Sequence, residues 1–224
     1  MSNYTQTFEA DTGKILNIVI NSLYSERDIF LRELLSNASD AIQKRKFLGQ
    51  TDPSILNSEA DSIEIIVNKK KKIIEITDTG IGLTEAELAE TLGTIAKSGT
   101  SAFLKEMEGE ENSKDAAKTL IGQFGVGFYS AFMVADKVEV VSRKAGDTQC
   151  NSWESDGQSG FSISTSEEEQ AAGTKIRLSL KKDAKEFADP DKIKGLIKKY
   201  SDHISFPINI KEADGEIEQV DRKS

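Results

Sequence analysis

One segment governs how this chain folds: Ile29-Phe30-Leu31-Arg32-Glu33-Leu34-Leu35-Ser36-Asn37-Ala38-Ser39-Asp40-Ala41. It contains no Gly or Pro and consists of good helix formers, so it predicts an α-helix. At about 100° per residue, one broad face is apolar and carries Leu31, Leu34, Leu35, Ala38 and Ile42. The opposite face is predicted to meet solvent and carries Arg32, Ser36, Ser39 and Gln43.

A stripe of polar residues runs between these two faces, within an arc of about 60°. It consists of Glu33, Asn37, Asp40 and Lys44, at spacings i, i+4, i+7 and i+11. Such a stripe can be a solvated face with ordinary i,i+4 pairs. It also suits the wall of a cleft, because a carboxylate can act as a base and an amide oxygen can bind a hard cation.

Composition and charge narrow the possible function classes. The 224 residues can bury one sizeable core or two small ones. A net charge of −9 argues against a strong electrostatic contact with nucleic acid or an anionic membrane. The single Cys150 excludes an internal disulfide and indicates a reducing compartment, and one Cys with one His argues against a structural zinc site. We expect a cytoplasmic protein, since neither a membrane span nor a signal peptide is present in the sequence.

Two strands with alternating apolar residues are predicted after Gly49 and Pro53 end the helical region. In the second strand the period of two places Asp78 on the same core-facing side as Ile74 and Ile76. A carboxylate there costs free energy unless a donor reaches it. Asp78 therefore either caps the following turn through its own backbone or accepts a hydrogen bond from a ligand. The turn that follows contains Gly-x-Gly, which lets a flat group come close to the backbone.

Three stretches between Thr84 and Phe128 each predict a different feature. Thr84 and Glu87 predict a capping box for a helix at residues 85–92. The small, polar and acidic residues from 93 to 120 suit either a mobile lid or a plain surface excursion. The glycine-rich stretch Gly122-Gln123-Phe124-Gly125-Val126-Gly127-Phe128 feeds a predicted helix, whose N-terminus is a natural anion site.

The remainder of the chain predicts antiparallel sheet, with strands at residues 137–143, 150–155, 160–164 and 173–180. In the last of these, the Thr174 hydroxyl is predicted to point towards the core. Asp189-Pro190 should open a helix that ends near Tyr200. A short strand is predicted at residues 206–210. His203, the single histidine, is interpreted as a surface or packing residue.

Four stretches together resemble a known family. They are Glu33-Leu34-Leu35-Ser36-Asn37-Ala38-Ser39-Asp40-Ala41, Asp78-Thr79-Gly80-Ile81-Gly82, Leu92-Gly93-Thr94-Ile95-Ala96-Lys97-Ser98-Gly99-Thr100 and Gly122-Gln123-Phe124-Gly125-Val126-Gly127-Phe128-Tyr129-Ser130. In this order they are similar to the N-terminal ATPase domain of the 90-kilodalton heat-shock chaperone family, of the bacterial high-temperature protein G type. Gyrase B, MutL and histidine kinases share the first two stretches in looser form.

The resemblance implies a fold and a domain organisation. The fold is an α/β (α+β) two-layer sandwich, in which helices cover one face of a mainly antiparallel sheet and ATP binds between the layers. Residues 1–210 would form the ATP-binding domain, with a mobile lid at about 85–125. Residues 211–224 would be a charged linker towards a middle domain that this chain lacks. That domain supplies an arginine to the γ-phosphate, so we expect weak turnover and a mostly monomeric chain.

The resemblance also implies roles for individual residues. Asp78 would accept from the exocyclic amine of adenine, with help from the Thr174 hydroxyl and a water, while Gly82 and Leu83 border the base. Asn37 would bind Mg²⁺ through its amide oxygen, and Glu33 would act as the general base on the attacking water. The remaining nucleotide contacts are expected at Asp40, Lys44, Lys97 and Ser98 and, through backbone N–H groups, at Gly125, Val126, Gly127 and Phe128.

The function implied by the resemblance is ATP binding and hydrolysis to ADP and phosphate, with lid closure driving a cycle that assists protein folding. Expected partners are adenine nucleotide, unfolded or partly folded client proteins and, in a full-length homodimer, the chain's own middle domain. Two alternatives stay open: a histidine-kinase-like catalytic domain, and a nucleotide switch without hydrolysis. Two departures from the family pattern are Thr91, where many members have Asn, and Leu83, which replaces a frequent Met.

Overall fold

A computed structural model describes residues 26–93, 127–213 and 218–220. Its strands are β1 (Ile63–Asn68), β2 (Ile73–Asp78), β3 (Ala135–Arg143), β4 (Cys150–Ser155), β5 (Phe161–Thr165), β6 (Gly173–Leu180), β7 (Ile208–Glu212) and β8 (Glu218–Gln219). They form one sheet in the order β5-β4-β3-β6-β2-β1-β7-β8. Every neighbouring pair is antiparallel except β1 and β7, which are parallel.

Helices lie on one face of this sheet. The α-helices are α1 (Ile29–Leu48), α2 (Glu85–Leu92) and α3 (Pro190–Tyr200), and 3₁₀ helices cover Pro53–Ile55, Gly127–Met133 and Lys182–Ala188. A single core forms between the layers, because one apolar row of each central strand and one face of each α-helix are buried together. The predicted two-layer α/β sandwich with a mainly antiparallel sheet is confirmed.

Helix α1 is the central element of the helical layer. Its predicted apolar face is confirmed, with Leu31, Leu34, Leu35 and Ile42 fully buried. The prediction that the opposite face meets solvent is wrong for Ser36 and Ser39, which are also buried. The segment after α3 contacts the first of them: Ser36 Oγ lies 3.2 Å from His203 Nε2.

Local sequence signals set several element boundaries. The Thr84–Glu87 capping box is present, since the Glu87 N–H donates to Thr84 Oγ1 and the Thr84 N–H donates to Glu87 Oε2. Helix α3 begins at Pro190, with the Asp189 side chain accepting from the Asp191 N–H at 3.1 Å. The two strands predicted at 150–155 and 173–180 have those bounds. The strands predicted at 160–164 and 206–210 are shifted by one and two residues.

The sheet continues beyond Ile210, into the segment predicted to be a linker. Strand β7 runs to Glu212 because Ile63 to Val67 of β1 pair with it in parallel. Strand β8 then pairs with β7, and Val220 is 1% exposed. Part of residues 211–224 therefore belongs to the folded sheet.

Several predictions lie outside the described residues. These are most of the proposed lid and the candidate site residues Lys97, Ser98, Gly125 and Val126. Among the described residues, no helix is long and apolar enough to cross a membrane.

Candidate functional site

The candidate site begins at the end of β2, where Asp78 lies on the core-facing side of the sheet. Asp78 is 8% exposed, as its place in the row of Ile74 and Ile76 predicts. The Gly80 N–H donates to Asp78 Oδ1 at 2.8 Å, so the turn-capping interpretation is confirmed. A carboxylate has about four lone-pair sites, so this bond leaves acceptor capacity for a ligand. Burial raises the pKa of Asp78 to about 7, against the opposing effect of the Gly80 and Thr174 N–H groups.

The turn after Asp78 packs directly on helix α1. The Ile81 N–H donates to the Ala41 carbonyl at 3.0 Å. A Cβ at Gly80 would lie 2.6 Å from Ala41 Cβ, so only glycine allows this approach. Gly82 adopts a φ of +65°, and a Cβ there would overlap the Arg143 carbonyl. The Gly-x-Gly pattern therefore serves close backbone contact between the turn, α1 and β3.

Arg45 holds the same turn from the other side, and the sequence interpretation missed it. This side chain is 6% exposed and donates to the carbonyls of Ile55 at 2.5 Å and Thr79 at 2.9 Å. Burial is the largest cause that lowers the pKa of Arg45, while the Asp61 carboxylate opposes it. The available signal was its spacing, because Arg45 follows Ile42 by three residues and so falls on the apolar face of α1.

Ser142 is a second residue that the sequence interpretation missed. It is fully buried and lies directly across from Thr174, which in turn lies across from Asp78. Its Oγ accepts from the Leu83 N–H at 2.9 Å and lies 2.9 Å from Thr174 Oγ1. The signal was a hydroxyl in the core-facing row of β3 that contains Val138 and Val140.

The structure thus joins three of the predicted base-contacting residues. Asp78 and Thr174 are neighbours in register on adjacent strands. Leu83 is tied to Thr174 through one shared partner, the Ser142 hydroxyl. Thr174 and Leu83 are each half-buried. The site therefore offers a buried carboxylate and a hydroxyl beside an apolar side chain, which suits a flat polar ring.

The polar stripe on α1 lies at the edge of the core. Asp40 is 4% exposed, and Glu33, Asn37 and Lys44 are half-buried. Arg32 donates two hydrogen bonds to Glu33 Oε1, at 2.7 and 3.1 Å. The stripe is therefore a partly enclosed surface, as the cleft interpretation requires.

Glu33 also touches the start of the 3₁₀ helix Gly127–Met133. A Cβ added at Gly127 would overlap Glu33 Oε2, so the carboxylate lies directly against this glycine. The prediction that the glycine-rich stretch feeds a helix is confirmed in part, since the helix is a seven-residue 3₁₀ helix. Phe128 points into the core and packs edge to face on Trp153, with ring centroids 5.5 Å apart. Of the predicted phosphate-binding residues, only Gly127 and Phe128 belong to the described residues.

A hydrogen bond links the two described segments on either side of residues 94–126. Tyr129 Oη donates to the Leu92 carbonyl, the last residue of α2, at 2.9 Å. Burial raises the pKa of Tyr129 to about 12, so the phenol stays protonated and remains a donor. This bond fixes the end of α2 against the 3₁₀ helix that carries Gly127.

The single histidine, His203, lies outside the candidate site. His203 is exposed and contacts Ser36, in agreement with its interpretation as a surface or packing residue. The described residues include no group of three or more His, Cys, Asp or Glu side chains that could hold a metal ion.

Comparisons with known proteins agree with these features. The sequence model of the family described as histidine kinase-, DNA gyrase B- and HSP90-like ATPase matches residues 26–185. The chain is 50% identical to the chaperone protein HtpG of Roseobacter denitrificans over 207 residues, which are 92% of this chain and 33% of that relative. It is 46% identical to the chaperone protein HtpG of Rhodospirillum rubrum over 225 residues, 100% of this chain and 36% of that relative.

A third relative, the chaperone protein HtpG of Rickettsia typhi, is 49% identical over 209 residues, 93% of this chain and 33% of the relative. The chain spans about a third of the length of the curated relatives that it matches.

Proposed function

This chain belongs to the histidine kinase-, DNA gyrase B- and HSP90-like ATPase family, and on that premise we propose that it is the ATP-binding and ATP-hydrolysing N-terminal domain of a molecular chaperone. The observation that carries the proposal is the buried Asp78 carboxylate, held by the Gly80 N–H beside the Thr174 side chain. The chaperone names of the relatives support the cellular role. That role would be exercised in the cytoplasm, on unfolded client proteins, by a longer homodimeric protein with a middle domain.

The proposed base contacts follow from the acceptor capacity of the site. Asp78 accepts from the exocyclic amine of adenine with the lone pairs that Gly80 leaves available. The Thr174 hydroxyl assists directly or through a water. Gly82 and Leu83 border the ring, with Leu83 providing an apolar surface.

The proposed phosphate and cation contacts come from the α1 stripe and the glycine-rich stretch. Asn37 suits Mg²⁺ because its half-buried amide supplies one hard oxygen, while phosphates and waters can supply the others. Bound Mg²⁺ would neutralise charge on the phosphates. Backbone N–H groups of the glycine-rich stretch at residues 125–128 hold the phosphates, and Lys97 and Ser98 in the lid reach the nucleotide. Asp40 and Lys44 complete the wall of the cleft.

Glu33 is proposed as the general base that orients or deprotonates the attacking water. Its Oε1 accepts from Arg32, and its Oε2 faces Gly127 at the end of the proposed phosphate-binding stretch. The second oxygen is therefore the one placed for proton transfer. A lid at residues 85–125 would exclude bulk water from this step.

Calorimetric titration with ADP and Mg²⁺, on this chain and on Asp78→Asn, tests the proposal. We expect the wild type to bind, and the variant to lose binding while circular dichroism shows that it remains folded. Equal binding by both proteins would show that adenine is not placed against Asp78. A folded wild type that binds no nucleotide would overturn the proposed function.

A further inference from the structure

The Ser142 hydroxyl makes three polar contacts in the interior of the sheet. Ser142 is fully buried on β3. Its Oγ lies 2.9 Å from the Leu83 nitrogen, 3.1 Å from the Gly173 carbonyl oxygen and 2.9 Å from Thr174 Oγ1. A serine hydroxyl has one proton and two lone pairs, so these three contacts use its whole hydrogen-bonding capacity.

The direction of each bond follows from the partners. The Leu83 N–H can only donate, so it occupies one lone pair of Ser142. The Gly173 carbonyl can only accept, so it takes the Ser142 proton. With the Ser142 proton assigned to the Gly173 carbonyl, the remaining lone pair of Ser142 faces Thr174, and we assign the Thr174 hydroxyl as the donor in this contact.

This arrangement determines what Thr174 can offer to a ligand. Once its proton is directed to Ser142, the half-buried Thr174 hydroxyl has only lone pairs left. Asp78 lies across from Thr174 in register, so both side chains project from the same face of the sheet. The carboxylate and the hydroxyl together present acceptors to the space beside them.

We propose that Ser142 is a positioning residue that fixes the Thr174 hydroxyl as an acceptor and so makes the site select a 6-amino purine over a 6-oxo purine. This inference rests on the proposed function, because it concerns the base of the bound nucleotide. An amino group can donate to both acceptors, whereas a 6-oxo group would place a third acceptor against them. Ser142 acts through Thr174 and Leu83 and does not touch the ligand.

The test compares ADP with inosine diphosphate, which carries a 6-oxo group, by calorimetric titration of the wild type and of Ser142→Ala. Removing the hydroxyl frees the Thr174 proton, which can then be donated to a 6-oxo group. We expect the affinity for ADP to fall by about tenfold, with no loss for inosine diphosphate, so that the ratio of the two affinities falls by about tenfold. If Ser142 had only a structural role, Ser142→Ala would lower the affinity for both ligands by the same factor.

Three further variants separate the loss of the Ser142 hydroxyl from a change in packing. Ser142→Cys preserves the volume but has a weak acceptor, so it should reproduce the lowered ratio. Ser142→Thr restores a hydroxyl on a residue that suits a strand, and it should restore the ratio. Ser201→Ala removes another buried hydroxyl, one with no hydrogen-bond partner among the described residues, and should leave the ratio unchanged.

The outcomes separate the two proposals. A wild type that binds ADP and inosine diphosphate equally, or a Ser142→Ala variant with an unchanged ratio, would overturn the inference and leave the proposed function standing. A folded wild type that binds neither nucleotide would overturn the proposed function and the inference with it.

Discussion

The Asp78 carboxyl is buried and its pKa is raised from 3.8 to about 7, so its ionisation is coupled to folding. Well below pH 3.8 the group is protonated in both the folded and the unfolded chain. As the pH rises towards 7, the unfolded chain releases this proton first, so the folded state loses stability relative to it. Asp78→Asn cannot ionise and should not show this loss. We expect its free energy of unfolding, relative to the wild type, to rise by about 1–3 kcal/mol between pH 5 and pH 8.

Urea unfolding at both pH values, followed by the fluorescence of the single Trp153, measures this difference. Asp147→Asn is the matched control, because Asp147 is exposed. Its free energy of unfolding relative to the wild type should not change with pH. A pH-independent effect of Asp78→Asn would contradict the proposed link between burial and the pKa of this carboxyl.

Glu33 is the residue on which hydrolysis should depend. Glu33→Gln keeps the shape of the side chain but removes the base, so we expect turnover of ATP to fall by about 100-fold or more. The affinity for ADP should change by less than about twofold, since the carboxylate acts on the water. Single-turnover assays with excess protein measure hydrolysis even when the rate is low.

Glu64→Gln provides the comparison for Glu33, since Glu64 is a half-buried carboxylate on β1 that pairs with Lys211 at 3.8 Å. It should leave turnover unchanged. Undiminished hydrolysis by Glu33→Gln would exclude Glu33 as the general base. Another group would then have to activate the attacking water.

At the residue scale, the sequence could predict Asp78 because strand periodicity alone places it among buried isoleucines. It could not predict the hydrogen bonds that Ser142 and Arg45 make. The partners of these side chains come from segments that are distant in the chain, such as Leu83 for Ser142 and Thr79 for Arg45. Only the fold brings those backbone groups together.

At the scale of elements, Arg45 links the C-terminal part of α1 to the turn that follows Asp78. Replacing it by methionine fills most of its volume but removes the side-chain donor to the Ile55 carbonyl and one of two side-chain donors to the Thr79 carbonyl. We expect Arg45→Met to lower the free energy of unfolding by about 2–4 kcal/mol. The affinity for ADP should fall as well, because the turn holds Gly80 against the Asp78 carboxylate. Urea unfolding and calorimetric titration measure the two effects.

Lys46→Met is a matched control for Arg45→Met, since Lys46 is the next residue on α1 and is exposed. Its effect on unfolding should remain below about 1 kcal/mol. The loss of stability in Arg45→Lys should lie between those of Lys46→Met and Arg45→Met, because an ammonium keeps the charge but cannot reproduce the geometry of a guanidinium. Equal stability of Arg45→Met and the wild type would mean that the other contacts of the turn, such as that of Ile81 with Ala41, hold it without Arg45.

Secondary structure was predictable where a local sequence motif determines it, as in the capping box of α2 and the Asp-Pro start of α3. The burial of the second face of α1 was not. Ser36 and Ser39 are polar, so periodicity assigns them to solvent, but both are buried and Ser36 contacts His203. His203 is more than 150 residues from Ser36 in the sequence, and only the folded chain brings them together. Helical periodicity cannot predict such a contact.

At the scale of the whole molecule, the proposed base site lies where three adjacent strands carry polar residues in register. Asp78, Thr174 and Ser142 belong to β2, β6 and β3, which are central in the sheet and far apart in sequence. The family resemblance could locate Asp78 and Thr174. The order of the strands was needed to show that Ser142 completes their row.

The other edge of the sheet determines where the folded domain ends. Val220 is 1% exposed, and its N–H donates to the Ile208 carbonyl at 2.7 Å. A chain that ends at Ile210 would lose β8, the end of β7 and this buried valine. Burial of one valine contributes about 1.5–3 kcal/mol, so we expect the Tm of this truncation to fall by roughly 5 °C or more. A chain that ends at Val220 should unfold at the temperature of the whole chain. Calorimetric unfolding of the two truncations measures the difference, and equal Tm values would place the boundary of the domain at Ile210.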